Sequence, residues 1–268
     1  MKVATWNVNS LRVRLEHVRD WLTTAAPDVL GLQETKVTDD KFPVGEFEDL
    51  GYRCAFSGQP TFNGVALISR EPAVDISTDL DGYSDPQRRV LGATVGNVRV
   101  LNLYVPNGQS VGTEKYAYKL EWLAALAAQR RRDLERYEHV VVIGDFNIAP
   151  EDRDVHDPAA WEGKILCSPE ERAALQRIVD LGLTDTFRLF EQAEKSFSWW
   201  DYRAAGFRRN LGLRIDLILA STVLSGGCTA SAIDTAPRRL ERPSDHTPAF
   251  AEFATAMTTP RYDLRTDS

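Results

Sequence analysis

The chain predicts an α/β fold in a single domain, and three observations lead there. Short runs with no polar face, such as Val140, Val141, Val142 and Ile143, have the composition of strands buried on both sides. Between such runs lie segments whose apolar residues recur at helical spacing. No linker, low-complexity tract or repeat divides the 268 residues, which are 43% hydrophobic and 26% charged, the make-up of an ordinary globular protein. That length can bury a sizeable core without staples. The domain is expected over residues 1–256, followed by a loose tail at 257–268.

The first strand carries Val3, Thr5 and Asn7 on one face, with Asn9 just beyond its end. Ser10 is placed to cap a helix marked by Leu11, Leu15, Val18, Leu22 and Ala25, which Pro27 stops. DVLGLQE is a second buried strand ending in Glu34, with Leu30, Leu32 and Glu34 alternating onto one side. Taken alone, Glu34 reads as a surface residue past a strand end. NGVALISR, RRVLGATVG and VRVLNLYVPNG read as three further strands, the last two joined by a Gly96-Asn97 hairpin turn. Tyr104 falls at the end of the third, where a hydroxyl in water is the simplest reading.

Tyr116, Leu120, Leu123, Ala127 and Leu134 mark a long amphipathic helix, with Arg130, Arg131 and Arg132 expected on its solvated face. In HVVVIGDFNIAP, Gly144 is expected to break the strand, and Asp145 and Asn147, two apart, point the same way. The pair suits either an Asx turn or a functional site. Asp152, Asp154, His156 and Asp157 follow in a polar loop without metal-ligand spacing. Ser168-Pro169-Glu170-Glu171 is a capping box opening a helix that ends near Gly182. FSWWDYRAAGFRRN (197–210) shows no alternation and reads as an exposed loop. GLRIDLILAS is a strand with Leu213, Ile215, Leu217 and Leu219 on one face and Asp216 on the other. Ser244, Asp245 and His246 precede the final strand.

Composition narrows the function. Net charge is −7 and the pI near 5.3, which argues against a nonspecific nucleic-acid surface. Two features weaken that objection. Arginines concentrate in loops of the second half, and an acidic site that holds a cation carries charge the cation offsets. Cys54, Cys167 and Cys228 are far apart and form no C-x-x-C pair, so neither a disulfide framework nor a thiolate zinc site is expected. A reducing, cytoplasmic setting fits. The opening MKVATWNVN runs straight into a strand pattern, so no signal peptide is expected, and no apolar run has membrane-spanning length.

Asn7, Glu34, Tyr104, Asp145 with Asn147, and Asp245 with His246 all stand at strand ends, and Asp216 lies inside a strand. Buried carboxylates are costly unless paired or bound to a cation, so this recurrence points to a shared cleft. Oxygen donors with one well-placed histidine suit Mg²⁺, with Mn²⁺ a plausible substitute, better than zinc. Asp245 and His246 are adjacent, so their side chains diverge. His246 needs an orienting carboxylate, for which Asp216 is the best candidate.

TWNVNSLR, LQETK, NGVALISR, YVPNG, GDFNIAP, FSWWDYR, LRIDLIL and PSDHTP, in that order, resemble the motif series of the exonuclease III family, within the endonuclease/exonuclease/phosphatase superfamily. The resemblance covers residues 1–254. It implies a four-layered α/β sandwich with two packed mixed β-sheets flanked by helices. It also implies a Mg²⁺-dependent phosphodiesterase of base excision repair that cuts duplex DNA 5′ of abasic sites or degrades and cleans 3′ ends. On that resemblance Glu34 holds the metal, with Asn7, Asp145, Asn147 and Asp245 near it. Asp145 orients or deprotonates water, Asn147 donates to phosphate, and His246 with Asp216, and Tyr104, stabilise the phosphate's charge. Asp145 and His246 both remain candidates for the base. Trp199, Trp200, Phe207 and Arg208 occupy the loop that in the family meets the abasic deoxyribose, with Trp200 as a flat wall for the bare sugar. Arg203, Arg208 and Arg209 are expected on phosphates. Partners are then abasic or 3′-damaged duplex DNA, with no membrane, and the chain is expected to be a monomer. The competing readings are another phosphodiesterase of the superfamily and a non-catalytic DNA-binding module.

Overall fold

Strand β1 (Lys2–Asn7) shows how the architecture follows from alternation. In this computed structural model, which describes residues 1–254, Val3 faces a core shared with a second sheet. Ala4 and Trp6 face helix α1 (Leu11–Ala25). The chain continues through β2 (Val29–Gln33), α2 (Val44–Glu48), β3 (Arg53–Ser57), β4 (Val65–Ser69), β5 (Ala73–Ser77), β6 (Val90–Val95) and β7 (Val98–Tyr104). Next come α3 (Glu114–Arg136), β8 (Val140–Asp145), α4 (Pro158–Trp161), α5 (Pro169–Val179), β9 (Leu183–Asp185), β10 (Trp199–Trp200) and β11 (Gly212–Leu213). The described chain closes with β12 (Asp216–Ser221), α6 (Thr222–Gly226), β13 (Cys228–Ile233) and β14 (Ala249–Phe253).

Two six-stranded sheets run β13-β14-β1-β2-β4-β3 and β5-β6-β7-β8-β12-β9, and β10 pairs with β11 apart from them. Both are mixed: β1 with β2 and β7 with β8 are parallel, the other pairs antiparallel. Val3, Val29, Val65 and Leu67 of the first sheet pack on Val100, Val141, Ile143 and Ile218 of the second. Outside the first sheet, Leu30, Leu32 and Ile68 meet Val18, Trp21 and Leu22 of α1. Outside the second, Leu103, Val142 and Leu219 meet Trp122 and Leu126 of α3 and Ile178 of α5. The expected four-layered sandwich is present. The central strands are buried on both faces, which is why β8 opens on the apolar run Val140–Ile143 and the polar residues inside β1 and β7 are themselves buried.

A polar bridge crosses between the sheets near one rim. Gln33 donates from Nε2 to Asn102 Oδ1 (2.6 Å) and Thr5 Oγ1 (2.9 Å), and Asn102 donates from Nδ2 to the carbonyls of Leu32 (2.9 Å) and Ala66 (2.8 Å). Buried and paired, these amides fix the offset of one sheet against the other.

Several expectations need correcting. Gly144 does not break the strand. It sits within β8 at φ 147, where a Cβ would lie 2.0 Å from the Leu103 carbonyl oxygen, so the glycine lets β7 and β8 close. Ser10 makes no side-chain cap. Arg130 is fully buried and paired with Asp133 on its own helix, leaving Arg131 and Arg132 as the solvated arginines. The segment 197–210 is not simply an exposed loop, because Phe197, Ser198 and Trp200 are buried. The strand expected over GLRIDLILAS divides at Arg214 and Ile215, so Asp216 opens β12 instead of lying inside it. β3, β5 and β13 went unread because one or both of their faces are partly exposed. The tail at 257–268 lies outside the described residues.

Candidate active site at the common rim of the sheets

Strand register assembles the centre of the site. Tyr104 on β7, Asp145 on β8 and Asp216 on β12 are direct partners across three adjacent strands. Facing them from the first sheet, β1 ends at Asn7, and Glu34 follows β2. Asp245 and His246 lie in the turn that enters β14.

Alternation would send Glu34 the way of Leu30 and Leu32, toward α1. Its φ of 51° turns it instead to the inner rim. There Asn7 Nδ2 donates to Glu34 Oε1 (2.9 Å) and to Asp145 Oδ2 (2.9 Å), drawing two carboxylates from different sheets onto one amide. Lys36 pairs with Glu34 (3.0 Å) and donates to Asn9 Oδ1 (2.6 Å).

The stretch Asp145–Asn147 is both a turn and part of the site. Asp145 Oδ1 accepts the Asn147 backbone N–H (2.9 Å), an Asx turn that leaves Asn147 at φ 50. Oδ2 looks the other way, to Asn7 and to His246 Nε2, 3.6 Å off. The Asn147 side chain donates to the Val105 carbonyl (3.0 Å) and accepts from Asn107 Nδ2 (3.1 Å).

Asp245 and His246 diverge as expected. His246 Nδ1 lies 2.9 Å from Asp216 Oδ2, and since a carboxylate only accepts, Nδ1 carries a proton. Asp245 instead accepts from Asn9 Nδ2 (2.9 Å) and Trp199 Nε1 (3.1 Å). Ser244 secures the turn: its hydroxyl donates to the Asn7 carbonyl (2.7 Å) and accepts the His246 N–H (3.2 Å). Ser198 Oγ accepts the N–H groups of Ile215 (3.0 Å) and Asp216 (3.1 Å), holding the start of β12.

Charges follow burial and neighbours. Burial pushes Asp145 above the usual carboxylate range, against the pull of His246 and with the help of Asp216. Burial alone would lower His246, but Asp216 and Asp145 outweigh it and raise it. Asp245 is held below the usual range although burial opposes this, because His246 and its Trp199 and Asn9 donors favour the anion. Burial, then Glu34 and Asp145, raise the Tyr104 phenol well above its ordinary value, so it stays a donor at neutral pH. Its ring is half-buried and lies under the Arg89 guanidinium, 4.8 Å away.

Among the described residues, ligand atoms of Asp145, Asp216 and His246 lie within 4.8 Å of one another and could hold a metal. Asp216 and His246 already engage each other, however. Glu34 and Asp145, joined through Asn7, offer the oxygen donors a hard cation prefers, and the donor set fits such an ion. Asp245 joins them through Asn9. Asn147 joins through its backbone N–H to Asp145, while its side-chain amide gives one hydrogen to Val105 and keeps the other.

The aromatic loop departs most from expectation. Trp200 is only 2% exposed, donates to Asn210 Oδ1 (3.0 Å) and packs edge-on against Phe207 at 5.0 Å. Arg238 lies over both rings. Trp200 is therefore core and offers no wall to a sugar. Trp199 is the half-buried ring beside the site, tied to Asp245, paired with Leu213 and bridged to His246. Arg203 is exposed but engaged by Asp201 (2.6 Å), while Arg208 and Arg209 face solvent. Asp154, unassigned in the sequence, is a buried counter-ion to Arg214 and Arg188. Asn9, Lys36, Asn107, Ser198 and Ser244 went unassigned too. All five lie within or beside the recognised motifs, which was the available signal.

Two mixed sheets meeting at a rim of carboxylates, amides and one oriented histidine define a hydrolase class that attacks phosphoesters. The chain belongs to the Endonuclease/Exonuclease/phosphatase family, whose model matches residues 4–246. It is 39% identical to exodeoxyribonuclease III of Haemophilus influenzae over 94% of this chain and 100% of that one. The 3′ phosphatase NExo from Neisseria, solved bound to a product DNA hairpin, superposes with a TM-score of 0.93 at 46% identity, covering 95% of this chain and 100% of that one. An AP endonuclease from Archaeoglobus fulgidus gives a TM-score of 0.91 at 40% identity, over 95% and 100% of the two chains.

Proposed function

We propose that this chain is a DNA repair nuclease that hydrolyses phosphodiesters of duplex DNA with Mg²⁺, at abasic sites and at damaged 3′ ends. The observation that carries the reading is the unbroken chain Asp216–His246–Asp145–Asn7–Glu34 at the sheet rim. The names of similar proteins supply the substrate class: an exodeoxyribonuclease, a 3′ phosphatase bound to a DNA hairpin, and an AP endonuclease.

Each residue has a task in in-line attack at phosphorus. Asp145 Oδ2 receives the proton of the attacking water, because Oδ1 is committed to the Asn147 N–H. His246, held by Asp216, donates from Nε2 to a phosphoryl oxygen, and Tyr104 donates its phenol proton to another. The free amide hydrogen of Asn147 completes the phosphate cradle. Glu34 would be the principal ligand of the cation, with Asn7, Asp145 and Asp245 near it, and Mn²⁺ would serve in place of Mg²⁺. A cation held there would supply charge neutralisation for the phosphate and the leaving oxygen. Trp199 takes the recognition role first given to Trp200, and Phe207 acts by packing against Trp200. Arg208 and Arg209 hold flanking phosphates, as does Arg203 once it exchanges Asp201 for one. The free thiols of Cys54, Cys167 and Cys228 support a cytoplasmic setting, and no described helix is long and apolar enough to cross a membrane.

Side-by-side kinetics on abasic, 3′-phosphate and recessed 3′-end duplexes test the proposal. Turnover is expected with Mg²⁺ or Mn²⁺ and none after EDTA. Full activity in exhaustively chelated buffer would sink the metal assignment, and no turnover on any of the three duplexes would sink the DNA reading.

A further inference from the structure

Lys119 of α3 and Glu171 of α5 are both 0% exposed and lie 2.5 Å apart, deep beneath the rim. A buried ion pair is weak evidence for stability, because desolvation offsets most of the attraction and apolar residues serve as well. This pair does something an apolar contact cannot. Lys119 Nζ also donates to the backbone carbonyls of Asn147 (2.6 Å) and Asn107 (3.1 Å). The three N–H donors of the ammonium are thus spent on one carboxylate and on the two loops that build one side of the site.

Glu171 is equally committed. Its Oε1 accepts the Leu166 N–H (3.1 Å), and its Oε2 accepts the Ser168 N–H (3.1 Å) and hydroxyl (2.6 Å). The capping box read in the sequence therefore doubles as an anchor for the lysine. Asn107 and Asn147 also touch each other, side chain to side chain at 3.1 Å. Asn147 holds a left-handed φ of 50°, which asparagine tolerates and the Asx turn with Asp145 favours. Gly108, at φ 88, leaves room for the lysine stem: a Cβ there would lie 3.0 Å from Lys119 Cδ and 2.9 Å from Ile165 Cδ1.

We propose that Lys119 and Glu171 are positioning residues for the reaction, fixing the backbone of Asn107 and Asn147 so that the Asn147 amide meets the phosphate. This rests on the phosphate-binding role assigned to Asn147 above. The helices on the outside of the second sheet thereby set the geometry of a rim loop.

The test uses the full chain with saturating Mg²⁺ and a 3′-phosphate duplex. Lys119→Met with Glu171→Gln removes the ion pair and leaves both carbonyls without their donor. A misplacement of about 1 Å can cost about 10²-fold, so kcat should fall by about that factor while KM for DNA stays within about threefold. Combined with Asn147→Ala, the pair variant should lose nothing beyond Asn147→Ala alone, because both act through one amide. Unchanged kcat in the folded pair variant, beside an impaired Asn147→Ala, would overturn the positioning role and leave the active-site reading intact. Fully additive losses would likewise make the pair merely structural. Near-normal Asn147→Ala would overturn the role of Asn147 itself. Should the double variant fail to fold, Glu171→Gln alone keeps an Oε1 acceptor for Lys119 and Leu166 while it removes the charge and the Oε2 acceptor of Ser168. It should lower kcat about tenfold at constant KM, and an unchanged kcat there would overturn the proposal.

Discussion

Asp145 has one oxygen in a turn and the other in the site, and this division makes it the most informative residue to change. Asn at position 145 preserves the Oδ1 acceptor for the Asn147 N–H but removes the carboxylate proposed to take the water's proton. Asp145→Asn should therefore bind duplex DNA normally and lose turnover by about 10²–10⁴-fold, as single-turnover rates beside equilibrium binding would show. His246→Asn should be comparably severe and Asp216→Asn milder, since Asp216 acts through the imidazole. Near-normal turnover in Asp145→Asn would reduce the stretch to its turn. The two tryptophans separate just as clearly. Trp200→Ala removes a buried ring and should destabilise the fold by about 3–5 kcal/mol, seen as a lower urea midpoint. Trp199→Ala should leave the midpoint closer to the parent and reduce abasic incision. The reverse pattern would restore Trp200 as the recognition ring.

Elements explain why those two neighbours have opposite fates. β10 is only Trp199 and Trp200, and successive side chains of a strand point to opposite sides. One ring faces Asp245 at the rim, and the other enters the pocket of Phe207 and Arg238. The arginines beyond them need no such pocket. Arg208 and Arg209 are exposed, so the role proposed for them is electrostatic. Replacing either by Ala should weaken binding to all duplexes alike and flatten the dependence of log K on log salt by about 0.9 per lost phosphate contact. A salt slope equal to the parent's would remove these arginines from the DNA interface. At β8, the glycine that resembled a strand breaker is a strand member, because β7 crosses too close for any Cβ.

At the scale of the molecule, the site exists because two sheets stack with their polar ends aligned. Asn7 and Asp145 are 138 residues apart and meet only when the sandwich closes, with the Gln33–Asn102 bridge holding the offset. The rim gathers Glu34, Asp145, Asp216 and Asp245 against His246 and Lys36, an excess of negative charge that a divalent cation relieves. Mg²⁺ should therefore raise the melting temperature of the whole chain by linkage, in a concentration-dependent way that EDTA reverses. A melting curve indifferent to Mg²⁺ would count against the site.

Much of this was legible in the chain alone. Strands buried on both faces leave mainly apolar segments, so β1, β2, β4, β6, β7 and β8 could be read without a structure. Asn7, Tyr104, Asp145 and His246 announced themselves as polar residues at the ends of such runs or just before a strand. That information is local, because alternation and capping depend on residues a few positions apart. The rest depended on contacts between distant segments. A positive φ at Glu34 redirected a carboxylate that alternation would have sent to the wrong face. Packing chose Trp199 over Trp200, and the Asp154 carboxylate proved to be a counter-ion for Arg214 and not a ligand. Lys119 reads in sequence as one more helix lysine, yet in the fold its ammonium is the buried partner of Glu171. Only tertiary structure could decide these, because the direction and burial of a side chain are set by what closes over it.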